Sequence, residues 1–538
     1  MQMGVLRTVF DRFRYAPLVW FTIAFCSLAG YLYLPEILFA GPRGIHFIRQ
    51  TDSLSFASVY YLFGNPFWEP GILDLNTAPD NGASAGEFPI LYYLTAMCYH
   101  LFGKHYFFLK SMNLGCVIIG HVLLARACMP WLGSALRALM FSLWMFSSSV
   151  VIYYACNYLP DAAAYGLILS GWSLFWIHRQ TSPRKALAWA IALFTLAGLL
   201  KVTTSMHLIA FMLMVFIQPG GSNAWREHVK ANRTKISCWV LVGLLLVGAW
   251  QLYAIRYNAL HHSRYFLTWT EPLWNMHPEV VSETWTAMTQ YWWSGYHHPT
   301  TWHVLLIMVI VLLPLSRHVD RELITLAAVL IVAGLGYAVL FFNKFRDHDY
   351  YFLTIAPALI VLALTTLVAL HRRTTDRVVS LGTTIGLGAM TVAGLSFGDL
   401  NLSRRHHTLP DQFNKAATLI ADIDESTLSS IPISRHDKII VVGDRTPCGV
   451  LLHLDRMGWA IQETPPPSTT TLSAALLGAQ YALCIDATPV PEWLSGDTIL
   501  KKPHWSVIRL RSQATHGAGF DPDTEVPGDT SPVQHLGK

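Results

Sequence analysis

Apolar residues run along this chain in repeated blocks of around 20, separated by short polar loops. Wound as helix at about 1.5 Å per residue, such a block crosses a hydrocarbon core of about 30 Å. Eleven blocks predict membrane spans over roughly 16–40, 107–127, 136–155, 160–177, 186–200, 204–217, 236–255, 302–316, 322–342, 350–370 and 378–397. The first block is too long for a removable signal peptide and lacks a small-residue cleavage site, so it reads as a permanent anchor. Segment 88–103 is short for a span and rich in aromatics, which predicts a helix lying in the membrane interface. Stretch 186–217 has basic flanks at both ends. One straight helix would put those flanks on opposite sides. Two short helices turning at Lys201-Val202-Thr203-Thr204 keep them together, provided protein or a water-filled cavity satisfies the broken backbone.

After about residue 400 the pattern changes to polar, Pro-rich and sequence-diverse. Lys438–Asp444 and Gln480–Asp486 read as short buried strands and Cys448–Met457 as a helix, the alternation of a small α/β domain. Pro465-Pro466-Pro467 reads as a stiff turn or linker, and 513–538 as a disordered tail. The expected fold is an all-α polytopic membrane protein over 1–400, with outer loops at 41–106 and 257–301, followed by an extracytoplasmic α/β domain over 401–512.

Composition agrees with this reading and adds orientation. The chain is 53% hydrophobic and 13% charged, against about 25% charged in soluble proteins. Nineteen Trp suit rings at two membrane interfaces. Alternate loops carry Arg7, Arg12, Arg14; Arg126, Arg137; Arg179, Arg184, Lys185; Arg226, Lys230, Arg233, Lys235; Arg317, Arg321; and Arg372, Arg373, Arg377. Those seventeen cations face eight on the other side: Arg43, Arg49, Lys104, Lys201, Arg256, Arg264, Lys344 and Arg346. By the positive-inside rule the N-terminus is cytoplasmic and the tail domain outside. The net charge of +5 is therefore topological and not a nucleic-acid footprint. The cysteines lack zinc-like spacing; only Cys448 and Cys484 lie in the polar tail, where a disulfide is one option.

Ionisable groups at membrane level are costly and mark functional sites. On the outward side the acids are few: Asp52 in His46-Phe-Ile-Arg-Gln-Thr-Asp52, Glu87 closing the same loop, Asp161 after Pro160, and Asp347 and Asp349 flanking His348. Plainer readings stand beside these: solvated loop acids, an N-cap at Asp161, and simple pairing of Asp347 and Asp349 with Lys344, Arg346 and His348. Lys201, Lys344 and Arg346 work against the orientation signal. An anionic ligand such as lipid phosphate explains them, and so does snorkelling to headgroups. Trp269, Trp274, Trp285, Trp292 and Trp293 suit an interfacial helix first and a sugar-stacking wall second. His261-His262 and His297-His298 lack helical ligand spacing, so no metal site is assigned. Gly382, Gly386 and Gly388 lie within the last span and suit helix packing.

At Arg49-Gln50-Thr51-Asp52, Glu87-Phe88-Pro89-Ile-Leu-Tyr-Tyr93, Leu159-Pro160-Asp161, Leu200-Lys201 and His348-Asp349-Tyr350-Tyr351 the chain resembles the GT-C superfamily of membrane glycosyltransferases. The likeness is to bacterial members related to protein O-mannosyltransferases and the lipid A aminoarabinose transferase, and it covers most of 10–400. The resemblance implies a first-loop acid near the acceptor, Asp52, and a second acid before the fourth span, Asp161. It implies donor-phosphate and substrate contacts among Arg49, Glu87, Lys201, Lys344, Arg346, His348 and Tyr350. Two departures stand out. Many relatives carry Asp-Glu where this chain has Asp52-Ser53, and the aminoarabinose transferases carry Glu-Lys-Pro where it has Glu87-Phe88-Pro89. The charge of that lysine must come from elsewhere, Lys201 or Arg346, which disfavours an aminoarabinose donor.

The expected activity is an inverting transfer from a polyprenyl-phosphate sugar to a lipid, glycan or protein acceptor at the outer face of a bacterial inner membrane. Membrane lipids are the other expected partners. No nucleic acid, nucleotide sugar or cofactor is expected, with a divalent metal left open. The rival class, a transporter or lipid flippase, calls for repeats and midplane charges; no repeat is evident, and the charges gather at one surface. Orientation is directly testable. A reporter active only in the periplasm, fused after residue 402, is expected to be active, and cytoplasmic behaviour would move Asp52 or the tail to the other side.

Overall fold

Each of the eleven apolar blocks forms helix, since backbone in hydrocarbon must satisfy its polar groups within its own segment. The computed structural model describes residues 2–34, 36–217, 223–265, 271–373, 377–408, 412–423, 427, 431, 433–461, 478–486, 494 and 496–511. Trp269, the Pro465–Pro467 run and the 513–538 tail lie outside these. The helices are α1 (Gln2–Tyr33), α2 (Phe47–Phe63), α3 (Ile90–Phe102), α4 (Phe107–Leu132), α5 (Ala135–Phe146), α6 (Ser149–Ala155), α7 (Asp161–His178), α8 (Pro183–Leu200) and α9 (Ser205–Ile217). There follow α10 (Asn223–Ala231), α11 (Arg233–Leu260), α12 (Pro278–Thr286), α13 (Trp293–Tyr296), α14 (Pro299–Leu312), α15 (Arg321–Leu340), α16 (Lys344–Asp347), α17 (Phe352–Arg373) and α18 (Arg377–Ser403).

Seven of these, α1, α4, α8, α11, α15, α17 and α18, contain stretches long and apolar enough to cross a membrane unaided. The pair α5 and α6, bent by 81°, makes an eighth. The expected eleven thus include three helices, α7, α9 and α14, that do not reach that length and hydropathy alone. Segment 88–103 is the separate 13-residue helix α3. At Lys201 the chain turns extended between α8 and a short 3-10 turn leading into α9. Thr195 and Leu208 both press on the single position Gly243 of α11. Thirteen residues of straight helix would separate them by about 20 Å, so α8 and α9 fold back on each other as a hairpin.

Small residues set the close crossings. A Cβ on Gly120 would stand 2.6 Å from Gly166 O, and one on Gly166 would stand 2.7 Å from Val117 N, so α4 and α7 touch backbone to backbone. The glycine run at the start of α18 packs differently from expectation. Gly382 and Gly386 face open space, and Gly388 meets only Met140. The close approach comes later, where Gly394 meets Ser147 and Gly398 meets Ile152, because the α5–α6 bend brings that backbone against α18.

Beyond the bundle, α19 (Lys415–Leu419) and α20 (Gly449–Leu454) accompany a five-stranded sheet of order β2-β1-β3-β5-β4. Its strands are β1 (Ile439–Val442), β2 (Gly458–Ile461), β3 (Tyr481–Ile485), β4 (Gly496–Lys501) and β5 (Trp505–Leu510). β1 runs parallel to β2 and β3, while β5 is antiparallel to β3 and β4. The sequence pattern marks β1, β3 and α20. It misses β2, only four residues long, and the antiparallel pair. The β2 edge is covered from the first loop: Leu75 N–H donates to Gly458 O at 2.8 Å, and Gly458 N–H donates to Leu73 O at 3.0 Å. Cys448 and Cys484 are buried and form no disulfide.

The α4–α7 contact can be tested by one methyl group. Gly166→Ala is expected to destabilise by about 1–3 kcal/mol, the usual cost of overpacking, read as a lowered thermal midpoint in detergent. An unchanged midpoint would mean that the two helices separate freely.

Candidate functional site

The ends of the helices bring four pieces of chain together: the first turns of α2, the Ala85–Pro89 turn, the break at Lys201, and the Asn343–Tyr351 segment entering α17. On α2, Arg49 and Asp52 sit one turn apart and so share a face. The guanidinium of Arg49 donates to Glu87 Oε1 at 2.6 Å. Lys201 Nζ lies 2.9 Å from Asp161 Oδ1, and it stands 4.6 Å and 5.3 Å from the ring centres of Tyr351 and Tyr350. Cation–π attraction adds to the ion pair there. The structure therefore unites Asp52, Arg49, Glu87, Asp161, Lys201 and Tyr350. Each of the three acids, Asp52, Glu87 and Asp161, keeps one buried oxygen without a hydrogen bond among the described residues.

The two first-loop acids are held in opposite states. Burial pushes Asp52 up to about 7, against the pull of Arg49 and a hydrogen bond from the Tyr265 hydroxyl, with Asp74 and Glu87 adding repulsion. Burial also works to raise Glu87, but the charges of Arg49 and Lys201 outweigh it and hold that carboxyl below its ordinary value. Asp52 can take up a proton near neutral pH while Glu87 stays ionised. Acids whose environments separate them in this way carry distinct roles.

A second cluster braces the first. Asp349 is fully buried and accepts from Arg405 Nη1 at 2.5 Å, from the Tyr154 hydroxyl, and from His46 Nε2 at 3.1 Å. His46 caps the start of α2 in the left-handed region, φ 57°. Its ring stands 5.3 Å from Tyr350 and 6.0 Å from His348. Burial, then nearby His46, Arg49, Lys201 and Lys344, pushes His348 well below its usual value, so its imidazole is neutral. Gly44, at φ +74°, lies where any Cβ would collide with Arg405 O.

Arg346 stands apart from the Lys201 cluster, whereas Lys344 lies within electrostatic reach of Lys201. Arg346 pairs with Glu283 and Asp347 at 3.2 Å each and is 38% exposed at its side chain. Lys344 is half-buried beside that group. Asp347 thus pairs locally, as the plainer reading had it, whereas Asp349 pairs with the distant Arg405. Sequence reasoning missed Arg405, Tyr154 and Tyr265. A signal existed for Arg405: it stands in Arg404-Arg405-His406-His407 just past the last predicted span, on the side where cations run against the charge bias, as Lys201 does. Among the described residues no three His, Cys, Asp or Glu converge to hold a metal.

Two openings flank Lys201. A cavity of about 110 Å³ is lined by Glu87, Lys201, Thr203, Asn258, Phe341 and Tyr351 among others. A groove of about 390 Å³ runs between α8 and α11, lined by Ile191, Thr195, Leu199, Trp239, Val242 and Leu246 among others. Leu199 walls both.

No protein-family model matches the chain, and no curated protein sequence matches it. Solved structures do. ArnT from Cupriavidus metallidurans bound to undecaprenyl phosphate aligns with a TM-score of 0.55 at 12% identity, over 91% of this chain and 98% of ArnT. The apo state of the same protein aligns at 0.57 and 13%, over 90% and 97%. At such identity the likeness is one of fold. This chain shares the ArnT fold, in line with what its motifs led us to expect.

The bracing cluster makes a stability prediction. Asp349→Asn leaves Arg405 buried without its counter-charge, expected to cost about 3–5 kcal/mol. Asp347→Asn, at a half-exposed pair, is expected to cost under about 1 kcal/mol. Thermal unfolding of the two purified variants checks the contrast, and equal midpoints would remove Asp349 from its bracing role.

Proposed function

We propose that this chain is an inverting glycosyltransferase that takes a sugar from a polyprenyl-phosphate-linked donor and passes it to an envelope acceptor, lipid, polysaccharide or protein, on the extracytoplasmic face. One observation carries the reading: an apolar groove between α8 and α11 adjoins, across Leu199, a cavity lined in part by Lys201. A polyprenyl phosphate has that form, a long hydrocarbon ending in an anion. The solved ArnT bound to undecaprenyl phosphate, with the same fold, supports the ligand class.

In the reaction the acceptor hydroxyl loses its proton to Asp52 while its oxygen bonds to the anomeric carbon from the face opposite the donor phosphate. The carbon–oxygen bond to phosphate breaks, and its electron pair leaves with the polyprenyl phosphate. The phosphate charge grows as the ester is released, so preorganised cations stabilise the transition state. Lys201, held by Asp161 and lining the cavity, supplies that charge, with Arg49 one ion pair away at Glu87. Arg346, tied to Glu283 and Asp347, is set aside from this role. Polyprenyl phosphate is a stable leaving anion, so the scheme calls for no general acid and no cofactor.

The test is transfer by purified protein from a polyprenyl-phosphate sugar, identified first by comparing envelope glycolipids with and without the protein. Asp52 acts as base only when deprotonated, so the parent rate is expected to rise with pH through about 7 and fall below it. Arg49→Gln removes a charge that lowers the Asp52 value, so the rise is expected to move to higher pH. Asp52→Asn, folded and still binding donor, is expected to lose roughly 10²–10⁴ in rate. Activity of Asp52→Asn within a few-fold of the parent would end the assignment of Asp52 as base.

A further inference from the structure

Apart from Lys201, a second group of basic side chains converges with no role in the transfer. It forms where α1, α4 and α18 meet the membrane surface: the loop after α1 supplies Arg43, the first turn of α4 supplies Lys110, and the segment after α18 supplies His406 and His407. The pieces are pinned together. A Cβ on Gly44 would stand 3.0 Å from His406 Cα, and Ile45 N–H donates to Arg405 O at 3.2 Å. Lys110 is buried, donating to Ile37 O at 2.7 Å and Ala40 O at 2.8 Å. Arg43 Nη2 donates to Glu36 O, but its Nε is buried with no acceptor among the described residues. His406 is only 7% exposed, packed at 4.9 Å on the Tyr153 ring, and neither ring nitrogen has a partner among the described residues. Lys110, Arg43, His407 and Arg405 all lie within electrostatic reach of it.

The acids nearby do not answer this charge. Asp349 is committed to Arg405, and Glu36 meets His407 at 3.5 Å from a side chain that is 71% exposed. Buried polar groups without partners are rare and costly, and here the Arg43 Nε donor and the His406 ring, which as a neutral imidazole offers one N–H, lie together beside Lys110 and His407. On the end of α1, the loop after it and the end of α18, Tyr31, Leu34, Phe39 and Leu400 are exposed apolar side chains. Tyr31, on α1, also bonds Asp399 of α18 at 3.3 Å, so the ends of these two helices lie side by side.

The geometry points to a second anion site, formed by Arg43, His406 and His407 with Lys110 behind them, that takes the phosphodiester of an anionic membrane lipid. Its place at the ends of long apolar helices and the exposed apolar side chains beside it favour a lipid over a free ion, as with basic pockets between spans that hold lipid headgroups. The site is separate from Lys201 and does not depend on the transfer reaction.

Delipidated full-length protein in detergent, offered phosphatidylglycerol or phosphatidylcholine and read by native mass spectrometry, tests this without any substitution. Phosphatidylglycerol is expected to be retained about tenfold or more over phosphatidylcholine, the scale of a charge-assisted hydrogen bond. Arg43→Gln and His406→Phe, which keeps ring volume, are each expected to reduce that preference while eluting as folded protein. Millimolar inorganic phosphate that displaces phosphatidylglycerol and gives the same thermal protection would support the phosphate chemistry and name the free ion as its source. Equal retention of the two lipids by the parent would overturn the proposal, as would undiminished preference in both variants.

Discussion

A carboxylate with no access to water must have its charge answered by protein groups, and Asp349 draws that answer from three distant places in the chain. Arg405 comes from the end of α18, Tyr154 from the bent half of a broken span, and His46 from the turn before α2. Burying the ions costs several kcal/mol each, recovered only when geometry and hydrogen bonding are complete. The cluster therefore works as a lock: the helices that contribute to it cannot shift singly without exposing an uncompensated charge. Because His46 is the N-cap of α2, the lock sets where that helix begins, and so where Arg49 and Asp52 stand one and two turns later. The left-handed backbone at His46, a conformation costing non-glycine residues about 1–2 kcal/mol, persists because Asp349 holds the ring.

The acids and cations of the site were legible in the sequence because ionisable groups at a membrane surface are few and each needs a reason. Asp52, Glu87, Asp161 and Lys201 stood out on that ground, and the structure brings all four together. Their pairings were not legible. Asp347 and Asp349 lie two residues apart among the same basic neighbours, yet one is half-exposed against Arg346 and the other has no exposure and meets Arg405. That difference is made by α16 turning into α17, which points one side chain outward and the next into the bundle. Local spacing carries no information about which distant guanidinium will be there. The hairpin at Lys201 was legible for the opposite reason: membrane topology is a global constraint that loop charges report directly. β4 was missed because its mostly exposed residues carry no apolar run to read, while β2 and β5 have no such explanation in their burial.

The same economy of charge explains why a site with three acids and two cations holds together before any substrate arrives. Glu87 and Asp161 neutralise Arg49 and Lys201 at 2.6 Å and 2.9 Å. Asp52 is left as the acid without a close ion pair, and burial resolves its surplus by raising its proton affinity. A carboxyl poised near neutrality follows from this count of charges, before any catalytic argument is made.

The C-terminal domain enters that count. Loop residues Leu73–Leu75 run alongside β2 as an added strand, and Leu73 N–H donates to Ser55 Oγ at 2.8 Å. Ser55 lies one turn beyond Asp52 on α2 and also bonds the Cys448 thiol, which lies beside Asp52 and Asp74. Asp74 is held ready-made by Asn76 and Thr77, its oxygens accepting from both backbone N–H groups at 3.2 Å. Asn76 in turn donates to Ala460 O at 2.8 Å. The sheet is therefore tied by hydrogen bonds to the first loop and, through it, to Ser55, one turn from Asp52, and Asp52 itself is buried, which raises its proton affinity. Of the three causes that raise Asp52, burial, the Asp74 charge and the Glu87 charge, the Asp74 charge comes from the loop segment that β2 holds in place. The domain is accordingly part of the environment that sets this acid, and not merely an appendage of the bundle.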